Sequence, residues 1–380
     1  MAVKWTGEGA LGEARAGVLT TPHGDVQTPV FMPVGTAGTV KGIDPLELKA
    51  LGYGLMLSNT YHLMLRPGHE RVEALGGLHA MMAWDGAVLT DSGGFQAFSL
   101  GNLSRMNDEG VEFRSHHDGS KHLLTPERAV EIQEALGADI IMAFDHCAAL
   151  PAESSAVEDA VRRTTAWLGR CVAARTRTED QALFGIVQGG VDLDLRRRSV
   201  EEVCAFDLPG FAIGGLSVGE SVEAMWDTAR GTAPLMPADK PRYLMGVGRP
   251  DDLIEAVRAG VDMFDCVLPT RCARTGLLFT SRGDLVVRNA RWADDGDPPD
   301  PDCDCPCCSR FSLTYLRHLF VAKEMLGMRL LTLHNLAFYR RLMTKLRAAI
   351  LDGTLDSFVA EFRAKREELG IRIKRPQSPG

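Results

Sequence analysis

The sequence has no apolar run approaching the roughly 20 residues of a membrane span. Its start, Met1-Ala2-Val3-Lys4-Trp5, has no secretory hydrophobic region. From these two features a cytoplasmic protein without a membrane role is expected. There is no internal repeat and no low-complexity tract. With 45% apolar and 24% charged residues, the composition is globular, not disordered, collagenous or coiled-coil. No excess of positive charge is present either, since the formal net charge is −8. Taken at face value this argues against a nucleic-acid partner. Net charge averages the whole surface, however, while binding uses a local patch. The 380 residues lie within reach of a single large barrel.

The nine cysteines are an odd number, a poor basis for a disulfide framework in a reducing compartment. Cys147, Cys171, Cys204, Cys266 and Cys272 are scattered singly, and Cys171 and Cys204 read as small buried hydrophobes. Cys303, Cys305, Cys307 and Cys308 instead fall within six residues. Cys303-x-Cys305-x-x-Cys308 with His334 supplies three thiolates and one imidazole, a closed set suited to tetrahedral structural zinc. Such a site builds the fold and leaves no open position for water. Cys307 is an alternative to Cys308, and His318 to His334. Charge is also uneven. Residues 301–380 carry 14 Lys+Arg against 8 Asp+Glu, so a basic C-terminal section follows an acidic body.

Eight short apolar runs end in Gly or polar residues: Val30 to Thr36, Leu55 to Thr60, Ala87 to Asp91, Ile140 to Asp145, Leu183 to Gly190, Phe211 to Ser217, Tyr243 to Gly248 and Met263 to Pro269. They are strand-length and unalternated, as in a parallel sheet buried on both faces. Helical patterns separate most of them, at Pro45 to Leu51, Pro126 to Leu136, Ser155 to Arg175, Asp192 to Cys204, Ser221 to Ala229 and Pro250 to Ala259. A doubly wound sheet fits the alternation nearly as well. The count of eight and the missing dinucleotide fingerprint favour a (β/α)8 TIM barrel. Hairpins are expected near His23-Gly24-Asp25 and at Asp118-Gly119; the first is placed to cap the barrel. The expected division is a barrel over 1–288 and 348–380 with an inserted zinc-binding helical subdomain over 289–347.

Function in such barrels sits at the C-terminal strand ends. Here those ends carry Asp91, Asp145, Gln188, Gly214-Gly215, Met245-Gly246 and Asp265. No His cluster lies among them, which disfavours a catalytic metal, and no basic phosphate loop is evident. Two carboxylates can divide labour as nucleophile and general acid/base, as in retaining glycoside cleavage. Asp145 and Gln188 have the donors and acceptors to grip a purine-like edge. A single Asp at a strand end more commonly caps the next helix, so the reading rests on several such residues together.

Longer segments carry a resemblance. They are Asp91-Ser92-Gly93-Gly94-Phe95-Gln96, Asp145-His146-Cys147, Gly185 to Gly190, Gly214 to Glu220, Tyr243 to Gly248, Asp262 to Arg271, and the Cys3His pattern. In this order the chain resembles the bacterial tRNA-guanine transglycosylase family (queuine tRNA-ribosyltransferases) over nearly its whole length. The resemblance implies a (β/α)8 barrel with a zinc subdomain. It implies exchange of wobble guanine in a tRNA anticodon arm for a 7-deazaguanine base, in queuosine biosynthesis. Asp265 would be the nucleophile forming a covalent ribose ester, and Asp91 the general acid/base. Ser92, Phe95, Asp145, Cys147, Gln188, Gly214, Gly215, Leu216, Met245 and Gly246 would form the base pocket. Glu220 would brace the Leu216-Ser217 peptide, and Arg271 and Arg274 would contact RNA. A homodimer built with the zinc subdomain is also implied.

Two positions select a subfamily. Val218 and Cys147 match the bacterial type, implying 7-aminomethyl-7-deazaguanine as incoming base. His146 stands where relatives usually have Glu. Archaeal relatives carry further C-terminal RNA-binding domains, and none is expected here. Two other readings remain: a non-catalytic tRNA-binding scaffold, against which the intact Asp pair weighs, and a barrel nucleosidase, against which the basic zinc-bearing section weighs.

Overall fold

The computed structural model describes residues 3–100 and 102–369. The eight expected runs form the strands of a parallel sheet at Val30–Gly35, Leu55–Ser58, Ala87–Thr90, Ile140–Met142, Ala182–Val187, Gly210–Ile213, Arg242–Leu244 and Met263–Asp265. The first strand is broken at Pro33, which has no N–H for the ladder. Its two halves pair on opposite sides. Val30 to Met32 lie beside Met263 to Asp265, while Val34 and Gly35 lie beside Leu57 and Ser58. That double pairing closes the ring, so the architecture is the expected (β/α)8 barrel and not an open doubly wound sheet.

Inside the ring, Val30, Met32, Leu55, Leu57, Leu89, Met142, Phe184, Ile186, Ala212 and Met263 make one buried cluster. The intervening residues, among them Phe31, Met56, Val88, Ile141, Phe211 and Phe264, join a second cluster under the helices. Both faces are apolar, which is why the strands do not alternate in sequence. The helices start where capping chemistry is available. Thr125 accepts from Arg128 N at 3.2 Å and Asp192 from Asp194 N at 2.9 Å. Gly137, with φ of +75°, ends the helix Pro126–Leu136.

The N-terminal feature expected as one hairpin is a three-stranded antiparallel sheet, Lys4–Leu11, Ala14–Thr21 and Gly24–Thr28. Its second turn is Pro22-His23, one position earlier than expected. Val3, Trp5, Leu19 and Val26 from this segment join the cluster inside the ring, so it does cap the barrel. The 111–124 hairpin gains a third strand, Asn102–Met106. The eighth run is shorter than expected, because Leu268–Arg274 is a helix with Pro269 in its first turn.

The C-terminal lobe comprises the hairpin Leu277–Thr280/Gly283–Val286 and the helices Leu313–Val321, Met325–Leu351 and Leu355–Arg366. Met325–Leu351 is a 27-residue helix. It ties lobe to barrel. Asn335 binds Phe279 N and the carbonyls of Pro269 and Leu277, and Arg347 binds the carbonyls of Gly17 and Thr28.

Candidate active site

The barrel delivers side chains to one mouth because every strand runs the same way. Asp91 follows the third strand. One of its carboxylate oxygens accepts Thr60 N at 2.8 Å and the other accepts the Asn59 amide. Burial pushes its carboxyl up to about 6, with a further push from Asp265. Asp265 ends the eighth strand. Its Oδ1 accepts the Tyr243 hydroxyl at 2.6 Å and Gly246 N at 2.8 Å. Burial raises its pKa, and those two hydrogen bonds oppose the rise. Tyr243 is fully buried and held well above its usual pKa by burial and by Asp265, so its hydroxyl stays a donor.

Asp145 follows the fourth strand. Gln188 Nε2 donates to its Oδ2 at 2.7 Å, and the Ser92 hydroxyl donates to its Oδ1 at 3.3 Å. Burial pushes this carboxyl up to about 6. Gly215 closes the pocket beside Gln188. Its φ is +66°, and a Cβ there would lie 2.3 Å from Gln188 Oε1, so any side chain would invade the site. Leu216 is buried behind it. The backbone N–H groups of Ser217 and Val218 both donate to Glu220, the second at 3.0 Å. A planar trans peptide then turns the Leu216 carbonyl away from Glu220.

Gly214 is buried, Met245 half-buried and Gly246 exposed. Phe95 opens the helix Gly94–Leu100 with 47% of its surface exposed, unusual for an aromatic ring. Burial pushes the Cys147 thiol up to about 12, so it is not a thiolate nucleophile. His146 Nδ1 accepts from Arg163 at 2.9 Å. Burial and that guanidinium push its pKa down to about 4, so it is neutral at physiological pH. Arg271 is exposed and Arg274 half-buried on the helix after the eighth strand. Neither is paired with a carboxylate among the described residues.

Away from this mouth, Cys303, Cys305, Cys308 and His334 are buried, with their ligand atoms within 4.8 Å of one another. His334 Nε2 donates to the Phe279 carbonyl at 2.9 Å, leaving Nδ1 facing Cys308 Sγ at 3.1 Å. A carbonyl that fixes the tautomer in this way is the usual support of a metal-ligating histidine. Three sulfurs and one nitrogen at this spacing fit a four-coordinate ion. Cys307 and His318 lie outside the cluster, which resolves both alternatives left by the spacing.

Residues 10–368 match the family described as Queuine tRNA-ribosyltransferase. A protein of that name from Herpetosiphon aurantiacus is 57% identical over 370 residues, 97% of this chain and 94% of its own. Another from Desulforamulus reducens is 58% identical over 349 residues, 92% and 94% of the two chains. The chain belongs to the queuine tRNA-ribosyltransferase family. It is accordingly an enzyme, a pentosyltransferase. Among the described residues, no helix is long and apolar enough to cross a membrane.

Within this queuine tRNA-ribosyltransferase fold, three supporting residues escaped sequence reasoning. Asn59 and Tyr243 lie inside the quoted runs but carry no signal of their own. Arg196 carried one, because it shares a helical stripe with Ser199, Val200 and Val203, all buried. It is fully buried, and it donates to the carbonyls of Gly190 at 2.9 Å, Val187 at 3.0 Å and Gly215 at 3.4 Å. Burial lowers its pKa to about 10, so it stays charged and ties the Gln188 loop to the Gly215 turn.

The basic C-terminal section is not the bare phosphate-binding surface that its composition implies. Arg329 pairs with Glu47, Arg341 with Asp300, Arg347 with Glu8, Arg363 with Glu255, Lys365 with Asp302 and Arg366 with Asp284. Three of these pairs, those to Glu47, Glu8 and Glu255, join the lobe to the barrel and its N-terminal sheet. Arg372, Lys374 and Arg375 lie outside the described residues.

The raised carboxyl of Asp145 has a stability consequence. Its folded pKa of about 6 lies above the ordinary 3.8, so the folded state binds this proton more tightly. The resulting stability is present in full below the unfolded pKa and is lost as pH rises through 6. Asp145→Asn should therefore raise Tm at neutral pH, by on the order of 2 kcal/mol of stability. That gain over wild type should shrink on acidification towards about pH 4. Thermal denaturation across pH checks both halves, and a gain independent of pH contradicts the assignment.

Proposed function

We propose that the chain exchanges guanine at the wobble position of a tRNA anticodon arm for 7-aminomethyl-7-deazaguanine, by double displacement through a covalent Asp265–ribose ester. The observation that carries this reading is the convergence of two differently held carboxylates beside a third that is paired with Gln188. Asp265 Oδ1 is held by Tyr243 and Gly246. In the proposed first step the Asp265 carboxylate attacks the ribose anomeric carbon and the bond to guanine breaks. Asp91 supplies the proton taken up by the departing base. In the second step the incoming base gives its proton back to Asp91, its nitrogen attacks the same carbon, and Asp265 leaves as carboxylate. One glycosidic bond replaces another, so no external energy source is needed. A pKa of about 6 suits Asp91 to give and take protons near neutrality.

Asp145, Gln188 and Ser92 would read the purine edge, with Cys147, Gly214, Gly215, Leu216, Met245 and Gly246 shaping the pocket and Phe95 covering it. The Glu220-anchored peptide favours the aminomethyl base, since its Leu216 carbonyl is free to accept from an ammonium group. The target base must leave its stack to reach this mouth. Arg271 and Arg274, without a carboxylate partner among the described residues and close in sequence to Asp265, would hold the RNA backbone.

The metal is proposed to be one structural zinc per chain, held by Cys303, Cys305, Cys308 and His334, in a subdomain over 289–347 that leans on the 277–286 hairpin. The chain is further proposed to form a homodimer through this lobe. Tyr315, Val321, Met325 and Leu326 are exposed there, and large apolar side chains left exposed together are the material of a contact surface.

Incorporation of labelled guanine into unmodified tRNA with a wobble guanine tests the reaction. Failure of folded, zinc-loaded protein to incorporate label refutes it. Competition between deazaguanines tests the base, and light scattering the dimer. Tyr243→Phe removes one hydrogen bond from the Asp265 carboxylate. Exchange should fall about tenfold at neutral pH, with the acidic limb of the pH–rate profile moving up. An unmoved limb would mean Tyr243 does not set the ionisation of Asp265.

A further inference from the structure

A second histidine-bearing cluster lies at the opposite end of the barrel. Asp139 immediately precedes the fourth barrel strand. His23 comes from the Pro22-His23 turn of the N-terminal sheet, and His79 from the helix Gly77–Met82. His23 Nδ1 lies 2.7 Å from one Asp139 oxygen and His79 Nε2 lies 3.2 Å from the other. The two imidazole rings stack at 3.6 Å with 12° between their planes. The donor atoms of all three residues lie within 4.8 Å of one another.

We propose that His23, His79 and Asp139 form a second metal site, for a borderline divalent cation of the zinc, cobalt or nickel kind. Two imidazoles and one carboxylate select such ions over calcium or magnesium, which take oxygen ligands. Three observations support the assignment beyond the spacing. The Asp139 side chain has no solvent exposure, and its second oxygen is already oriented by Val88 N at 2.8 Å. His79 Nε2 is buried and faces that carboxylate oxygen at 3.2 Å without a well-directed hydrogen bond, so its nitrogen is aimed into the site. His23 keeps 38% of its side chain exposed, which provides an entry path and room for a water ligand. Ligand pairs on a tetrahedral ion at 2.0–2.1 Å stand about 3.4 Å apart, so binding would open the two His–Asp contacts by less than an ångström and turn the stacked rings until the plane of each contains the ion.

The site would clip together three segments distant in sequence: the capping sheet, a helix of the second crossover and the floor of the barrel. It sits at the N-terminal strand ends, away from the mouth, so occupancy should change stability and leave the chemistry alone. The proposal does not depend on the reaction proposed above.

Cobalt(II) added to the full-length, zinc-loaded protein is the test. Wild type should take up one further equivalent, with weak visible bands lacking thiolate charge transfer, and Tm should rise with cobalt or zinc concentration. His23→Gln and His79→Gln should each lose that equivalent and the Tm response while keeping the first metal. His23 is on the surface, so its variant should fold even if His79→Gln does not. No second equivalent in wild type overturns the proposal. So does equal uptake by wild type and His23→Gln, which would mark adventitious surface binding.

Discussion

Asp265→Asn is expected to abolish both base exchange and the denaturant-stable tRNA adduct. The carboxamide keeps an oxygen to accept Tyr243 and Gly246, which lie 2.6 and 2.8 Å from Asp265 Oδ1, so the mouth should retain its shape. What disappears is the anionic nucleophile. Without it no ester can form, and the reaction would need direct displacement at the sugar by the incoming base. Losses of about 10⁴-fold or more accompany removal of a covalent nucleophile. Denaturing gel electrophoresis of enzyme with tRNA reads the adduct directly. If it persists in Asp265→Asn, another residue is the nucleophile. Asp91→Asn should behave differently: the first ester can still form slowly while turnover stops, because no group remains to return a proton to and from the bases.

The second large effect is on the fold. Cys303→Ser should bring bound zinc from about one per chain to near zero and lower Tm by roughly 10 °C. The reason is visible in the lobe. Cys303, Cys305, Cys308 and His334 are buried together, and they join the cysteine loop to the helix Met325–Leu351. Losing the ion would leave polar side chains facing one another without a partner. The helix holding His334 also holds Asn335 and Arg347, which bind the hairpin and the N-terminal sheet, so loosening should spread towards the barrel. Cys307→Ser should keep its metal, since Cys307 is outside the cluster. Metal analysis with thermal denaturation checks both variants, and normal zinc in Cys303→Ser would remove it from the ligand set.

Most of the barrel was legible because its strands are buried on both faces and therefore read as unbroken apolar runs. Pro126–Leu136 was legible to the residue, since Thr125, Pro126 and Gly137 mark both ends chemically. The third strand at 102–106 and the short helices His69–Ala74 and Gly77–Met82 were not. Segments of five or six residues carry too little periodicity to read.

The candidate site divides in the same way. Asp91, Asp145, Gln188 and Asp265 were legible as polar residues ending apolar runs. Their supports were not: Asn59 reaches Asp91 across 32 positions, and Arg196 reaches the Gly215 carbonyl across 19. The charge of the C-terminal section was legible only as a total, because composition counts cations and cannot see which carboxylates they meet.

Sequence alone determined the count of eight barrel strands, their alternation with helices, the residue types at the mouth and a metal cluster of thiolates with one imidazole. These follow from local patterning and spacing, which a linear chain carries in full. Only the tertiary structure decided that Pro33 lets the first strand close the ring and that Cys308, not Cys307, joins His334. It likewise decided that His146 is neutral, and that two histidines and Asp139 meet on the floor of the barrel. Each of these depends on distance and burial between segments far apart in the chain, and burial sets both the reach of a side chain and its proton affinity.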